Sequence, residues 1–160
     1  MARVRLGVSA CLLGERVRYD GGHKRDAYLA DVLGPQVEWV AVCPEVELGL
    51  GVPRPTLSLV GDPPRLVQDA TGADLTERMR AYAEARVGEL ERLGLDGYVL
   101  KSGSPSCGVF DVRGLFAAAL VARLPALPVE EEGRLADPAV RARFLEGVRA
   151  RAAASGRVAP

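Results

Sequence analysis

The sequence lacks the features that mark several common protein classes. It has no asparagine, a single histidine and three cysteines, and its 21 basic residues are balanced by 21 acidic ones. Zero net charge leaves no field of one sign to attract a nucleic acid polymer or a membrane surface. No apolar run is long enough to span a bilayer. The glycine patterns of dinucleotide sites and of phosphate-binding P-loops are also missing.

What remains is an ordinary globular composition. The 160 residues are 48% hydrophobic and 26% charged, which suits one domain with its own core. Met1 leads directly into the alternating segment RVRLGVS without the pattern of a signal peptide, so we expect a cytoplasmic protein. An odd cysteine count in such a protein argues against a disulfide framework and for metal binding, catalysis or burial.

Strand-like and helix-like segments alternate along the chain. Apolar, β-branched segments predict strands at residues 4–9, 37–42, 98–100 and 127–129, and helical periodicity predicts helices at 26–33, 74–93, 114–124 and from Asp137 to a frayed tail at Ala152. A Pro- and Gly-rich loop is predicted for residues 44–64, with a short strand pair at residues 56–60 and 65–68. Such alternation is typical of right-handed βαβ units.

We therefore predict a single α/β domain over residues 1–160. It has three layers, with a mostly parallel central sheet and helices on both faces. The C-terminal part, residues 114–151, is expected to be largely helical.

Each cysteine follows a predicted strand. Cys11, Cys43 and Cys107 come after the first, second and third strands, and the carboxyl ends of parallel strands share one edge of a sheet. Three thiolates there can form a metal site, with zinc and Glu45 as a fourth ligand among the options. A thiol nucleophile and three buried, chemically inert cysteines are the other interpretations.

Four segments containing these cysteines resemble a known bacterial family. VSACLLGERVRYDGGHKR, VCPEVELGLGVPRPTLSLV, GADLTERM and LKSGSPSCGVFD, between Val8 and Asp111, are similar to uncharacterised-domain family 523, which is associated with thiouracil desulfidases. The resemblance implies a 4Fe–4S cluster held by Cys11, Cys43 and Cys107. It also implies removal of sulfur from a thiolated pyrimidine, thiouracil or its nucleotide, with the substrate sulfur bound by the open iron.

Polar residues near the cysteines are further candidates, and for Glu45 the resemblance favours a functional role. Glu45 is expected to act as an acid or base, either protonating the leaving pyrimidine or activating water. Ser104 is expected to hydrogen-bond the substrate or relay a proton, and Ser102 and Ser106 are weaker candidates. Serines in such a loop also satisfy local backbone groups, which is the structural alternative.

A second group of candidates lies in the loop RVRYDGGHKR and beyond it. Arg18, His23 and Lys24 can hold a phosphate, and Tyr19 can stack on a base. The alternative is a solvated turn. Arg54, between two prolines, is expected either to bind an anion or to pair with a nearby carboxylate.

The sequence therefore predicts a hydrolytic, cluster-dependent desulfidase acting on a small molecule. A zinc hydrolase using the same three cysteines is one alternative. A protein that binds a cluster or nucleotide without turnover is the other.

Overall fold

The computed structural model describes residues 3–157. Its strands are β1 (Arg5–Ser9), β2 (Glu38–Val42), β3 (Leu57–Val60), β4 (Arg65–Gln68), β5 (Gly97–Leu100) and β6 (Val129–Glu131). Its α-helices are α1 (Pro44–Glu47), α2 (Thr76–Leu93), α3 (Leu115–Arg123) and α4 (Pro138–Ala154). A π-helix at Tyr28–Leu33 and 3-10 turns at Ala10–Leu13, Gly34–Gln36 and Arg134–Ala136 complete these elements.

Four strands form a parallel sheet in the order β2-β1-β5-β6. At the centre, Leu6 of β1 lies opposite Trp39 of β2 and Gly97 of β5. β3 and β4 form a separate antiparallel hairpin. The carboxyl ends of β1, β2 and β5 therefore meet at one edge, which is where ligands bind in open α/β sheets.

Helices cover both faces of the sheet, and β5 accordingly contributes residues to a core on each face. Its residues alternate between two cores, with Val99 packed in the cluster that contains Phe144 and Val148 of α4. Tyr98 and Leu100 belong to the opposite cluster, which contains residues of α2 and α3. The predicted three-layer α/β fold is confirmed.

The two long helices each begin near an aspartate, but only α4 has a side-chain cap; the N-cap position of α2 is Leu75, so the predicted cap Asp74 lies one residue before it. Asp137 caps α4 by accepting a hydrogen bond from the Ala139 N–H at 2.8 Å, and Pro138 occupies the first turn. Asp74 accepts from the Thr76 N–H at 2.9 Å where α2 begins. No helix within residues 3–157 is both long and apolar enough to cross a membrane.

Three of the differences from the predictions have a clear physical reason. β6 begins at Val129 rather than Leu127, because the ring of Pro128 leaves no N–H to donate to a ladder. α4 continues to Ala154, and Ala152 is fully buried instead of frayed. The segment predicted as a loop after Cys43 contains the short helix α1, too brief for periodicity to reveal.

Candidate active site

A cavity of about 240 Å³ lies at the carboxyl edge of the sheet. Its walls come from the segments after β1, β2 and β5 and from the loops around Tyr19 and Arg54, and all three cysteines are among them. This volume is below the roughly 300–1,000 Å³ typical of sites for drug-sized ligands. The cavity therefore suits a compact ligand.

The sheet topology brings the three cysteines to the carboxyl edge of the sheet. Cys11 lies in the 3-10 turn that directly follows β1, and Cys43 is the residue between β2 and α1. Cys107 lies in the loop between β5 and α3. Cys11 and Cys107 are buried, Cys43 is half-buried, and none is in a disulfide.

The loop carrying Cys107 is held in place by hydrogen bonds to the Ser104 hydroxyl and by close packing against Gly114. Ser104 Oγ accepts hydrogen bonds from the N–H groups of Ser106 at 3.1 Å and Cys107 at 3.0 Å. A Cβ on Gly114 would lie 2.3 Å from the carbonyl carbon of Ser106, so only glycine permits this close approach. These contacts fix the position of Cys107.

Burial keeps the thiols protonated in the absence of a metal. It raises the pKa of Cys11 to about 11, with a further contribution from Cys43, while Lys101 and Arg18 oppose the rise. It raises the pKa of Cys107 to about 12, opposed by a hydrogen bond with Ser9. Burial also raises the pKa of Cys43, opposed chiefly by the Val46 backbone N–H and by Arg54. Metal binding must therefore displace protons.

The donor set fits an iron–sulfur cluster, because cysteine thiolates are the usual ligands of such clusters. Each cysteine of a cluster binds a different iron, so cluster ligands need not converge on one point. Three thiols lining one cavity, with cations beside them, satisfy that requirement.

Glu45 extends from α1 into the same cavity, and both of its carboxylate oxygens are bonded. Arg54 Nε donates to Oε1 at 3.0 Å, and Ser106 Oγ donates to Oε2 at 3.0 Å. Arg54 also donates from its side chain to the Gly51 carbonyl at 3.0 Å. Of the two roles expected for Arg54, the structure shows the pairing with a carboxylate.

Lys101 and Ser102, at the start of the same loop, form a separate hydrogen-bond network with Glu132. Ser102 donates to Glu132 from its backbone N–H at 2.7 Å and from its hydroxyl at 3.0 Å. Lys101 Nζ donates to the Ser102 carbonyl at 2.6 Å and pairs with Glu132 at 3.5 Å. Ser102 lines the cavity, but its hydroxyl donates to Glu132. Ser104 lines the cavity too, and among residues 3–157 its hydroxyl oxygen accepts two hydrogen bonds while its proton has no recorded acceptor.

The residues of the RVRYDGGHKR loop are not all at the cavity. Arg18 and Tyr19 line it, and the Arg18 guanidinium lies 5.6 Å from the centroid of the Tyr19 ring. Tyr19 is 40% exposed, so its ring sits at the rim. His23 and Lys24 are exposed and lie outside the residues that line the cavity.

Sequence reasoning passed over Ser9 and Glu132 and gave Ser106 only as a weaker candidate, yet all three residues organise this site. Ser106 bonds Glu45, and Ser9 supports Lys101 by accepting its backbone N–H at 2.9 Å. Glu132 follows β6 directly. The rule that placed the cysteines at the carboxyl edge of a parallel sheet identifies Glu132 as well, once applied to the last strand.

Comparisons with known proteins agree with this geometry. The chain matches the 2-thiouracil desulfurase family over residues 6–132. It is 29% identical over 118 residues to the uncharacterized protein YbbK of Bacillus subtilis (strain 168), covering 69% of this chain and 78% of that protein. Its fold is similar to the solved structure of the 4Fe–4S-dependent thiouracil desulfidase TudS, with a TM-score of 0.71 and 34% identity, covering 89% of this chain and 98% of that one.

Proposed function

The chain belongs to the 2-thiouracil desulfurase family, and we propose that it removes sulfur from thiolated pyrimidines, thiouracil or its nucleotide. The resemblance inferred from the cysteine-containing segments is thereby confirmed. The observation that carries the proposal is that three cysteines and Glu45, from three different strand ends, line one compact cavity.

The cofactor of the proposed reaction is a 4Fe–4S cluster held by Cys11, Cys43 and Cys107. Bound through these three thiolates, such a cluster would supply one open iron as a Lewis acid for the substrate sulfur. Soft thiolate donors favour such a cluster. Lys101 and Arg18 beside Cys11, and Arg54 beside Cys43, lower the cost of gathering three negative sulfurs in a buried cavity.

Glu45 supplies the proton chemistry in this proposal. It accepts a proton from a water molecule whose oxygen attacks the carbon bearing sulfur. The carbon–sulfur bond breaks and a carbonyl replaces the thiocarbonyl, so one water is consumed and one hydrogen sulfide is released. No net electron transfer is needed. Arg54 and Ser106 hold the Glu45 carboxylate in place during these steps.

Substrate contacts are assigned to the remaining cavity residues. In this proposal the Ser104 hydroxyl donates a hydrogen bond to the pyrimidine. Arg18 and Tyr19 at the rim bind the outer part of the substrate, by charge and by ring stacking. His23, Lys24 and Ser102 have weaker claims, because the first two lie outside the cavity lining and the hydroxyl of Ser102 donates to Glu132.

The decisive experiment combines metal analysis with turnover. Protein purified without oxygen, or reconstituted with iron and sulfide, should carry about four irons and four sulfides per chain and release sulfide from 2-thiouracil, 4-thiouracil or their nucleotides. Bound zinc, or no metal after reconstitution, would remove the mechanism. Tight substrate binding without sulfide release would instead favour a binding protein.

The cysteines provide the matching variants. Cys43→Ala is the most informative, because the half-buried position tolerates the change better than the buried sites of Cys11 and Cys107. Each alanine variant should lose the stoichiometric cluster and its activity while far-UV circular dichroism stays that of wild type. Full activity in any one of them would overturn the three-ligand assignment.

A further inference from the structure

Lys101 directly follows β5, and its side chain is among those that line the cavity. The backbone of Lys101 is fixed, because its N–H donates to Ser9 Oγ at 2.9 Å. The side chain is only 20% exposed, so the ammonium group lies within the cavity wall rather than in bulk solvent. Its charge opposes the rise in the pKa of Cys11, which agrees with a position beside that cysteine.

Glu132 holds the ammonium from the outer side. The carboxylate lies 3.5 Å from Lys101 Nζ, and it is fixed independently of the lysine. Ser102 donates to it from its backbone N–H at 2.7 Å and from its hydroxyl at 3.0 Å. Lys101 lines the cavity, whereas Glu132 is not among the lining residues. The ammonium therefore lies between an anchored carboxylate and the cavity.

The ammonium keeps a donor for a ligand. It has three N–H groups, and among residues 3–157 two of them have acceptors, the Ser102 carbonyl at 2.6 Å and the Ser102 hydroxyl at 3.2 Å. The contact of 3.5 Å with Glu132 is an ion pair, longer than an ordinary hydrogen bond. One charged N–H is thus left for a partner outside the protein chain.

The charged side chains that line the cavity favour a ligand with hydrogen-bond acceptors. Within the part of the chain that the structure describes, they are three cations and one carboxylate: Arg18, Arg54, Lys101 and Glu45. Both oxygens of Glu45 already accept hydrogen bonds, one of them from Arg54. Arg18 lies at the rim beside Tyr19, which leaves Lys101 as the inner cation with a spare donor.

We infer that the Lys101 ammonium donates a hydrogen bond to the exocyclic oxygen of the pyrimidine and so selects thiouracils over thiocytosines. 2-Thiouracil carries an oxygen at the ring position where 2-thiocytosine carries an amino group. The oxygen accepts from the ammonium, whereas the amino group is itself a donor and leaves the charged N–H without a partner. This inference rests on the proposed function and names a residue that determines its substrate class.

Binding of the parent bases tests this inference without the reaction. Equilibrium dialysis of labelled uracil and labelled cytosine against the reconstituted protein gives both dissociation constants. Wild type should bind uracil about 10- to 100-fold more tightly than cytosine, the range for one hydrogen bond to a charged group. Lys101→Met keeps an unbranched side chain of similar length, and its affinity for uracil should fall by the same factor while its affinity for cytosine does not fall.

Turnover gives a second measurement of the same preference. In wild type, kcat/KM should be higher for 2-thiouracil than for 2-thiocytosine, and Lys101→Met should reduce this ratio towards one. The double variant Lys101→Met, Glu132→Gln also removes the carboxylate that the single variant leaves without its cation. It should show the same loss of preference in dialysis, because the spare donor is absent from both variants.

Lys24→Met is the matched control, since it makes the same substitution at an exposed position outside the cavity lining and should keep the wild-type preference for uracil. Equal affinities of wild type for the two bases, or a wild-type preference retained in Lys101→Met, would overturn this inference alone. If wild type releases no sulfide from any thiolated pyrimidine, yet shows a preference for uracil that Lys101→Met loses, the proposed function fails and the role of Lys101 stands.

Discussion

Arg54 and Glu45 form an ion pair of 3.0 Å inside the candidate active site, with side chains only 5% and 13% exposed. The two residues come from different segments, α1 and the proline-rich loop before β3, and the pair joins these two walls of the cavity. Its geometry orients the carboxylate that the proposed mechanism uses as a base. Four experiments test this arrangement and its surroundings.

Removing the carboxylate should affect the chemical step. Glu45→Gln preserves the size of the side chain but cannot accept a proton, so kcat should fall by about 10²–10⁴, the usual range for a general base. Ser106→Ala should reduce kcat by about fivefold, the effect of losing one hydrogen bond of roughly 1 kcal/mol. Steady-state sulfide release measures both.

Glu47→Gln is the control for these variants. Glu47 lies two residues further along α1, but it bonds Tyr82 and Arg86 outside the cavity. Its kcat should remain within about twofold of wild type, a change below 1 kcal/mol. Equal loss of activity in Glu45→Gln and Glu47→Gln would point to damage of α1 rather than to loss of a base.

Breaking the buried pair should cost stability as well as activity. Arg54→Met leaves the Glu45 carboxylate without its cation, and we expect a loss of about 3 kcal/mol in the free energy of unfolding. The double variant Arg54→Met, Glu45→Gln removes both charges and should recover much of that loss. Urea unfolding of the metal-free proteins gives the comparison. A double variant no more stable than Arg54→Met alone would refute the electrostatic explanation.

The rim residues should influence substrate affinity. Arg18→Gln should raise KM about tenfold with little change in kcat, corresponding to roughly 1.4 kcal/mol of uniform binding. Lys24→Gln removes a positive charge from the same loop at a position outside the cavity lining, so its KM should match wild type. Parallel assays with a free base and its nucleotide separate ring contacts from phosphate contacts. Equal effects of the two variants would show a general charge effect.

The start of α2 should make stability depend on pH. Hydrogen bonds from Thr76, and then Arg65, lower the pKa of Asp74 to about 2, below the value of about 3.9 for an unfolded chain. The carboxylate therefore stabilises the fold above pH 4, and this contribution is lost as the pH falls from about 4 towards 2. Asp74→Asn should be less stable than wild type at pH 6.

The difference between Asp74→Asn and wild type should disappear near pH 2, as measured by urea unfolding across the pH range. Asp111→Asn removes an exposed carboxylate before α3 and controls for the loss of negative charge. A constant difference between Asp74→Asn and wild type at every pH would mean that the carboxylate charge has no part in stabilising the start of α2.

Several parts of this protein were predictable because they depend on local patterns. Apolar, β-branched segments marked β1, β2 and β5, and each is followed by a cysteine, so the parallel-sheet rule brought Cys11, Cys43 and Cys107 to one edge. Helical periodicity marked α2, α3 and α4. The short helix α1 was missed, since four residues contain too little of a 3.6-residue period to be recognised.

The sequence by itself thus determined the layers of the fold and the edge at which the cysteines gather, since both follow from periodicity along the chain. Only the tertiary structure decided which side chains meet there. Ser106 reaches Glu45 across 61 positions of sequence, and the Tyr98 ring lies over Gly7 because strand register pairs them. Such contacts depend on the packing of distant segments, and no local pattern encodes them.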